Sequence, residues 1–331
     1  MTRLPRPAAL VAVALLAAAC STGGAIPPAA SSAASADPSA ACPAAPQPAA
    51  DALAEWDPSG QSPTVIPLIV SSRQVCGENR FLFSFLRDNL PAAAPDRTST
   101  VTFFNLGRDA ATPVATAGTE FVWAIEDERG LYVASATFPE SGRWGAEFTT
   151  EAPGSASETI RVQFDVQPDS PTVAIGDPAP ATDTPTLDDV GGNLAAISPD
   201  EEPVPAFYET SVADALDAGT PFVLIFATPK FCTSAQCGPT LDRIKPIAAA
   251  HADVTFINVE PYQLELVDGQ LQPVLDESNQ LQAAPATVEW GLLTEPWIFV
   301  VDGEGIVRGS FELIAGEAEL ERAIAEVATG A

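Results

Sequence analysis

The chain has little with which to build several kinds of site. Its 331 residues include one histidine, one methionine, three tyrosines and two lysines. A single histidine excludes a metal centre made of several imidazoles from one chain, and no metal is expected. Positive charge is scarce: 15 Lys+Arg stand against 44 Asp+Glu, a formal net charge of −29. Such a surface repels phosphate backbones and anionic headgroups, so nucleic acid is not expected as a partner. Long apolar runs are also missing. The run Leu10 to Ala19 is too short to span a bilayer as a mature helix. Preceded by Arg3 and Arg6, it suits the core of a signal peptide.

What is present is apolar content of 46%, enough for two cored domains in a chain of this length. Residues 1–20 read as the targeting segment. Residues 21–60, rich in Ala, Pro, Ser and Gly, have little periodicity and predict a disordered tether. Residues 61–168 carry seven candidate strands, at 64–70, 80–87, 99–105, 120–126, 131–138, 143–149 and 159–166. Several alternate with period two, as in Ile160, Val162, Phe164 and Val166, which predicts one buried face. Seven short strands in about 100 residues predict an antiparallel sandwich of immunoglobulin type. Residues 169–206, rich in Pro, Asp, Thr and Gly, read as a linker, part of which could wrap on a domain.

From Phe207 to Ala331 the pattern changes to alternating helix and strand. Ser211 can cap a short helix ending before Gly219. The continuous apolar run Phe222–Ala227 suits a buried parallel strand. A helix is expected over 239–251, a strand over 254–259 and a small hairpin within 260–275. A further helix is expected over 279–292, then a strand over 297–301 and its antiparallel partner over 306–311 after the DGEG turn. A terminal helix over 316–328 presents Leu320, Ile324 and Val327 on one face.

Chemistry concentrates in ATPKFCTSAQCGPTLDRIKP at 227–246. Cys232 and Cys237 flank a strand-to-helix junction. Unpaired N–H groups at a helix start stabilise a thiolate, the attacking species in disulfide exchange. Both lysines of the chain, Lys230 and Lys245, lie near the pair together with Arg243, and are expected to lower a cysteine pKa. Cys42 and Cys76 could pair and pin the tether to the β-domain.

Several of these motifs resemble known families. LLAAAC at 15–20, followed by Ser21, resembles the bacterial lipobox, which implies a diacylglycerol anchor on Cys20 and an exported, membrane-attached protein at the extracytoplasmic face. GLYVASATFPESGRWGAEF at 130–148 resembles extracytoplasmic Ig-like modules. The element order of residues 207–331, the cysteine pair after the first strand and Pro296 in TEPWIFVVDGEG resemble the thioredoxin superfamily. That resemblance implies a cis Pro296 beside the sulfurs. It also implies a thiol–disulfide oxidoreductase with no cofactor beyond the dithiol, acting on exported protein thiols or disulfides with an unidentified electron donor. The spacing departs from CxxC. Position relative to the strand makes Cys232 the attacking residue, whereas the CGP at 237–239 matches the thioredoxin motif in a second register. Cys232 is the expected attacker and Cys237 the resolver.

CTSAQC also resembles Q-type peroxiredoxins, which implies a thiol peroxidase as the alternative. Those enzymes place an arginine before the late strand, where this chain has Glu295 and Pro296. A third alternative is a non-catalytic binding module with a structural Cys232–Cys237 bridge. Copper delivery on such a fold needs a distal histidine, for which His251 is the sole candidate. Trp290 and Trp297 are expected to be packing residues.

Overall fold

The computed structural model describes residues 42–328. The signal segment, Cys20 and residues 21–41 of the expected tether lie outside the described residues. Among those described, no helix is long and apolar enough to cross a membrane.

The N-terminal half is a β-sandwich. Its strands are β1 (Ile66–Ile69), β2 (Gln74–Val75), β3 (Gly77–Arg87), β4 (Leu90–Pro91), β5 (Thr98–Asn105), β6 (Ala115–Gly118), β7 (Glu120–Ile125), β8 (Arg129–Phe138), β9 (Gly142–Glu151) and β10 (Glu158–Gln167). One sheet runs β1-β3-β8-β7, with β4 added beside β3; the other runs β2-β10-β9-β5-β6. All seven expected strands form. β2 and β4, of two residues each, are too short to show a period, and β6, made of small and mostly exposed residues, has no apolar alternation. One pair, β10 with β2, is parallel, so the sandwich is not purely antiparallel.

Alternation along the strands builds the core. Phe81, Phe83 and Phe85 of β3 point between the sheets, against Phe103, Phe148 and Ile160. Leu82, between them, faces outward and is nonetheless buried. It joins Val122, Leu131 and Val133 under Ile314, a residue of the C-terminal half. Both faces of β3 are thus covered at Phe81–Phe83, which explains why three successive residues there are apolar.

Residues 42–60 correct the tether expected over 21–60. Cys42 is disulfide-bonded to Cys76, and the Ala45 N–H donates to the Ser141 carbonyl at 2.8 Å. Trp56 is 1% exposed. Its ring lies against Phe104, the outward residue of β5, at 4.9 Å, with the Arg161 guanidinium 5.1 Å from its ring centre. Gly145 leaves the space: a Cβ there would collide with the indole. One large aromatic side chain outweighs the disorder-promoting composition around it.

The C-terminal half is a mixed α/β region with few helices. It comprises α1 (Val212–Asp217), β11 (Phe222–Phe226), α2 (Cys237–Ala250), β12 (Thr255–Val259), β13 (Leu264–Val267), β14 (Gln270–Pro273), α3 (Pro285–Glu289), β15 (Trp297–Val301), β16 (Val307–Glu312) and α4 (Glu317–Ala328). The main sheet is ordered β12-β11-β15-β16. β11 and β12 are parallel, and β15 is antiparallel to both β11 and β16. Val223 and Ile225 of β11 face α2 and α4. Phe222, Leu224 and Phe226 face the opposite layer, with α1, Trp290 and Phe299. Two-sided burial is the reason β11 reads as an unbroken apolar run.

Local signals hold at several ends. The Ser211 hydroxyl caps α1 by accepting from the Asp214 N–H, and Asp268 and Gly269 turn the β13–β14 hairpin with φ of 52° and 80°. The helix expected over 279–292 shrinks to α3. Asn279 has φ 61°, and the Asp276 carboxylate accepts from the Ser278 and Gln280 N–H groups, closing a turn. Pro285 then sits in the first turn of α3, where a proline is tolerated and before which a helix cannot readily continue. Residues 169–206 wrap on the α/β region: the Trp290 indole N–H donates to Thr182 Oγ1 at 3.2 Å, and the Gly176 N–H donates to the Val307 carbonyl.

Candidate functional site

The site forms where the β11–α2 loop meets the loop before β15. Gln236 precedes α2 and Cys237 is its first residue. The preceding Ala235 takes φ 62°, a left-handed conformation costing roughly 1 kcal/mol for a residue with a Cβ. That turn folds the loop back, so the Cys237 N–H donates to Cys232 Sγ at 3.3 Å. Ser234 Oγ is also 3.3 Å from that sulfur. Cys232 is half-buried and Cys237 fully buried, and both are free thiols.

The two sulfurs are electrostatically unlike. The hydrogen bond from the Cys237 thiol, aided by Ser234 and backbone N–H groups, draws the Cys232 pKa down to about 6 despite partial burial. Burial, followed by the adjacent Cys232, pushes the Cys237 thiol far up. At neutral pH Cys232 is the thiolate and Cys237 the proton-bearing donor beside it.

Glu295 holds this loop in place. It is 5% exposed. Its Oε1 accepts from both the N–H and the hydroxyl of Thr233 at 2.6 Å each. Its Oε2 accepts from the Tyr262 hydroxyl at 2.7 Å, and its carbonyl accepts from Ser234 Oγ at 2.8 Å. Burial and Glu295 push the Tyr262 phenol up, which keeps it a donor. The Glu295–Pro296 peptide is cis. Pro296 reaches the cysteine loop through these bonds of its neighbour.

A second buried carboxyl lies nearby. Both side-chain oxygens of Glu260, just after β12, are buried without a hydrogen-bond partner. Burial raises its pKa to about 8. Glu260 and Tyr262 also border a cleft of about 330 Å³, whose other walls include Val190, Ile197, Leu271 and Pro285.

The expected cations do not gather at the sulfurs. Arg243 turns to the sandwich and donates to the Trp123 carbonyl at 2.7 Å. Lys245 pairs with Asp200 at 3.0 Å and Asp242 at 3.1 Å. Lys230 sits over the Phe231 ring at 5.7 Å. Nearness in sequence misleads here, because successive helical residues point in different directions. Hydrogen bonds, not these charges, lower the Cys232 pKa. His251 pairs with Glu321 at 2.7 Å just past the end of α2, about 20 Å along the helix from Cys237, so no copper set assembles with it. Trp290 is fully buried and Trp297 nearly so.

No local sequence pattern marks Thr233, Ser234 or Glu260 as part of this site. Glu295 was visible beside the expected cis-proline, but only as an obstacle to peroxide chemistry. Tyr262 lies 33 residues from Glu295, and no local pattern marks it.

No protein-family profile matches the chain, and no curated protein does. Solved structures match in part. A DUF4426 family protein from Pseudomonas aeruginosa PAO1 aligns at 14% identity and TM-score 0.24, over 32% of this chain and 91% of that one. CopC from Methylosinus trichosporium OB3b aligns at 13% identity and TM-score 0.22, over 31% of this chain and 94% of that one. Both likenesses concern the β-sandwich, and neither bears on function.

Proposed function

We propose that the α/β region is a thioredoxin-like domain and that the protein is a thiol–disulfide oxidoreductase using Cys232 and Cys237. One observation carries this: a half-exposed sulfur accepts the first N–H of α2 while its partner sulfur is buried beside it. That asymmetry is what attack and resolution require. The parallel β11–β12 pair, the antiparallel β15–β16 pair and the cis-proline loop abutting the pair are consistent with the fold.

In the reducing direction the Cys232 thiolate attacks a partner disulfide. A mixed disulfide forms and one partner thiolate leaves, taking up the Cys237 proton. Cys237 sulfur then attacks Cys232 sulfur and releases the second partner thiolate. Two electrons pass from the dithiol to the partner, and the reverse sequence oxidises a partner dithiol. Thiol peroxidation fits less well, because Glu295 puts negative charge where a peroxide develops more.

The proposed setting is the extracytoplasmic face of a membrane, with a lipid anchor on Cys20. The Cys42–Cys76 disulfide supports export, since such bonds persist in oxidising compartments. Partners there would be exported protein thiols or disulfides, with a separate electron donor.

Mixed-disulfide trapping tests the roles. Cys237→Ser is expected to hold a partner on Cys232, and Cys232→Ser to hold none. Trapping by Cys232→Ser alone would reverse the assignment, and trapping by neither would end it.

A further inference from the structure

The reduced pair does not stand alone. Cys232 Sγ, Cys237 Sγ and a carboxylate oxygen of Glu295 all lie within 4.8 Å of one another. Zinc binds sulfur at about 2.3 Å and carboxylate oxygen at about 2.0–2.2 Å, so tetrahedral ligands stand about 3.5–3.8 Å apart. The cluster is within about 1 Å of that spacing. We propose that the reduced protein closes Cys232, Cys237 and Glu295 on one thiophilic divalent ion of the Zn²⁺ class. Binding releases the Cys237 proton to solvent. When a partner disulfide takes two electrons from the two thiolates, the Cys232–Cys237 disulfide forms, the partner leaves as a dithiol after taking up two protons, and the ion is expelled.

Four features favour this. The ligand set is two sulfurs and one oxygen, which suits zinc-class ions and not Mg²⁺ or Ca²⁺. Glu295 is oriented as a metal ligand commonly is, by outer hydrogen bonds. A carboxylate has about four lone-pair sites. Thr233 takes two through Oε1 and Tyr262 takes one through Oε2, leaving one on Oε2. The local charge also calls for a cation. The Glu295 carboxylate adjoins both sulfurs, while Arg243 and Lys245 are turned to other partners. Cys232 is half-exposed, so a fourth coordination position opens to solvent, as in sites that exchange ligands.

The inference concerns the same pair as the oxidoreductase reading, and the two fail separately. The full exported chain is titrated with Cd²⁺, reduced and then oxidised at Cys232–Cys237, while the thiolate-to-cadmium ultraviolet band is followed. Free thiols are counted in each sample. The expected result is one ion per reduced chain with a charge-transfer band, and no band after oxidation. Glu295→Gln is expected to keep a sulfur band but bind at least tenfold more weakly. A reduced chain with two countable thiols and no band would overturn the metal site, as would equal binding by the oxidised chain. Unchanged affinity in Glu295→Gln would remove the three-ligand arrangement. A chain that traps mixed disulfides without showing the band loses the metal site alone. One that shows the band but traps nothing loses the exchange reading alone.

Discussion

At the scale of residues, two groups are moved in opposite directions by their environments. Cys232 is a thiolate above about pH 6, so its alkylation rate is expected to fall about tenfold per unit below that pH. A midpoint near pH 9 would show that the Cys237 N–H and thiol do not act on it. Glu260 behaves conversely. Its folded pKa of about 8 exceeds its ordinary 4.5. Between those values the folded chain holds a proton that the unfolded chain has lost. Stability therefore falls as pH rises through this window, by at most about 1.4 kcal/mol per unit. Glu260→Gln is expected to stabilise the protein at pH 8 and change little at pH 5 in urea unfolding; equal effects at both would contradict the burial argument. The cysteine pair was legible in the sequence, because a strand-to-helix junction is a local pattern. The charge argument around it was not. Arg243 and Lys245 share a helix with Cys237, but their directions depend on Trp123 and Asp200. Likewise, one histidine excludes an imidazole site, yet says nothing of two cysteines and a glutamate that meet only in the fold.

At the scale of elements, periodicity and end signals succeeded where the pattern was long or strongly punctuated. The seven expected sandwich strands, the Ser211 cap and the terminal helix belong here. Failures came where a single contact decided the outcome. Residues 42–60 have a tether's composition, yet Trp56 and the Cys42–Cys76 bond strap them to the sandwich. The bond joins residues 34 apart, and a loop of that length corresponds to about 4 kcal/mol in the chain-entropy account. Replacing both cysteines by serine is expected to cost about 2–4 kcal/mol and to speed hydrogen exchange at the Ala45 amide. Unchanged exchange there would mean that Trp56 holds the strap without the bond. The expected helix over 279–292 failed for a comparable reason, since Asp276 caps a turn that helical periodicity does not register.

At the scale of the whole molecule, the sandwich and the α/β region share an interface. Arg80 bonds Glu319 at 2.8 Å, the Ser72 N–H donates to Glu312, and Ile314 fills the outer face of β3. Glu312 also accepts from Thr294, next to Glu295, so the sandwich contacts the segment that frames the sulfurs. Unfolding is expected to be one transition for both halves. Arg80→Ala is expected to lower stability by about 2 kcal/mol, as for a lost charged hydrogen bond; two separate transitions in the parent protein would contradict the shared interface. None of this interface was legible in a sequence whose halves read as joined by a linker.

The reduction potential of Cys232–Cys237 tests the central claim most directly, measured in the full chain with insulin reduction followed in parallel. The account predicts a value within the range of exchange catalysts, about −120 to −270 mV, together with insulin turnover that Cys232→Ser abolishes. A value below about −300 mV, typical of structural bridges, with no turnover, would contradict it.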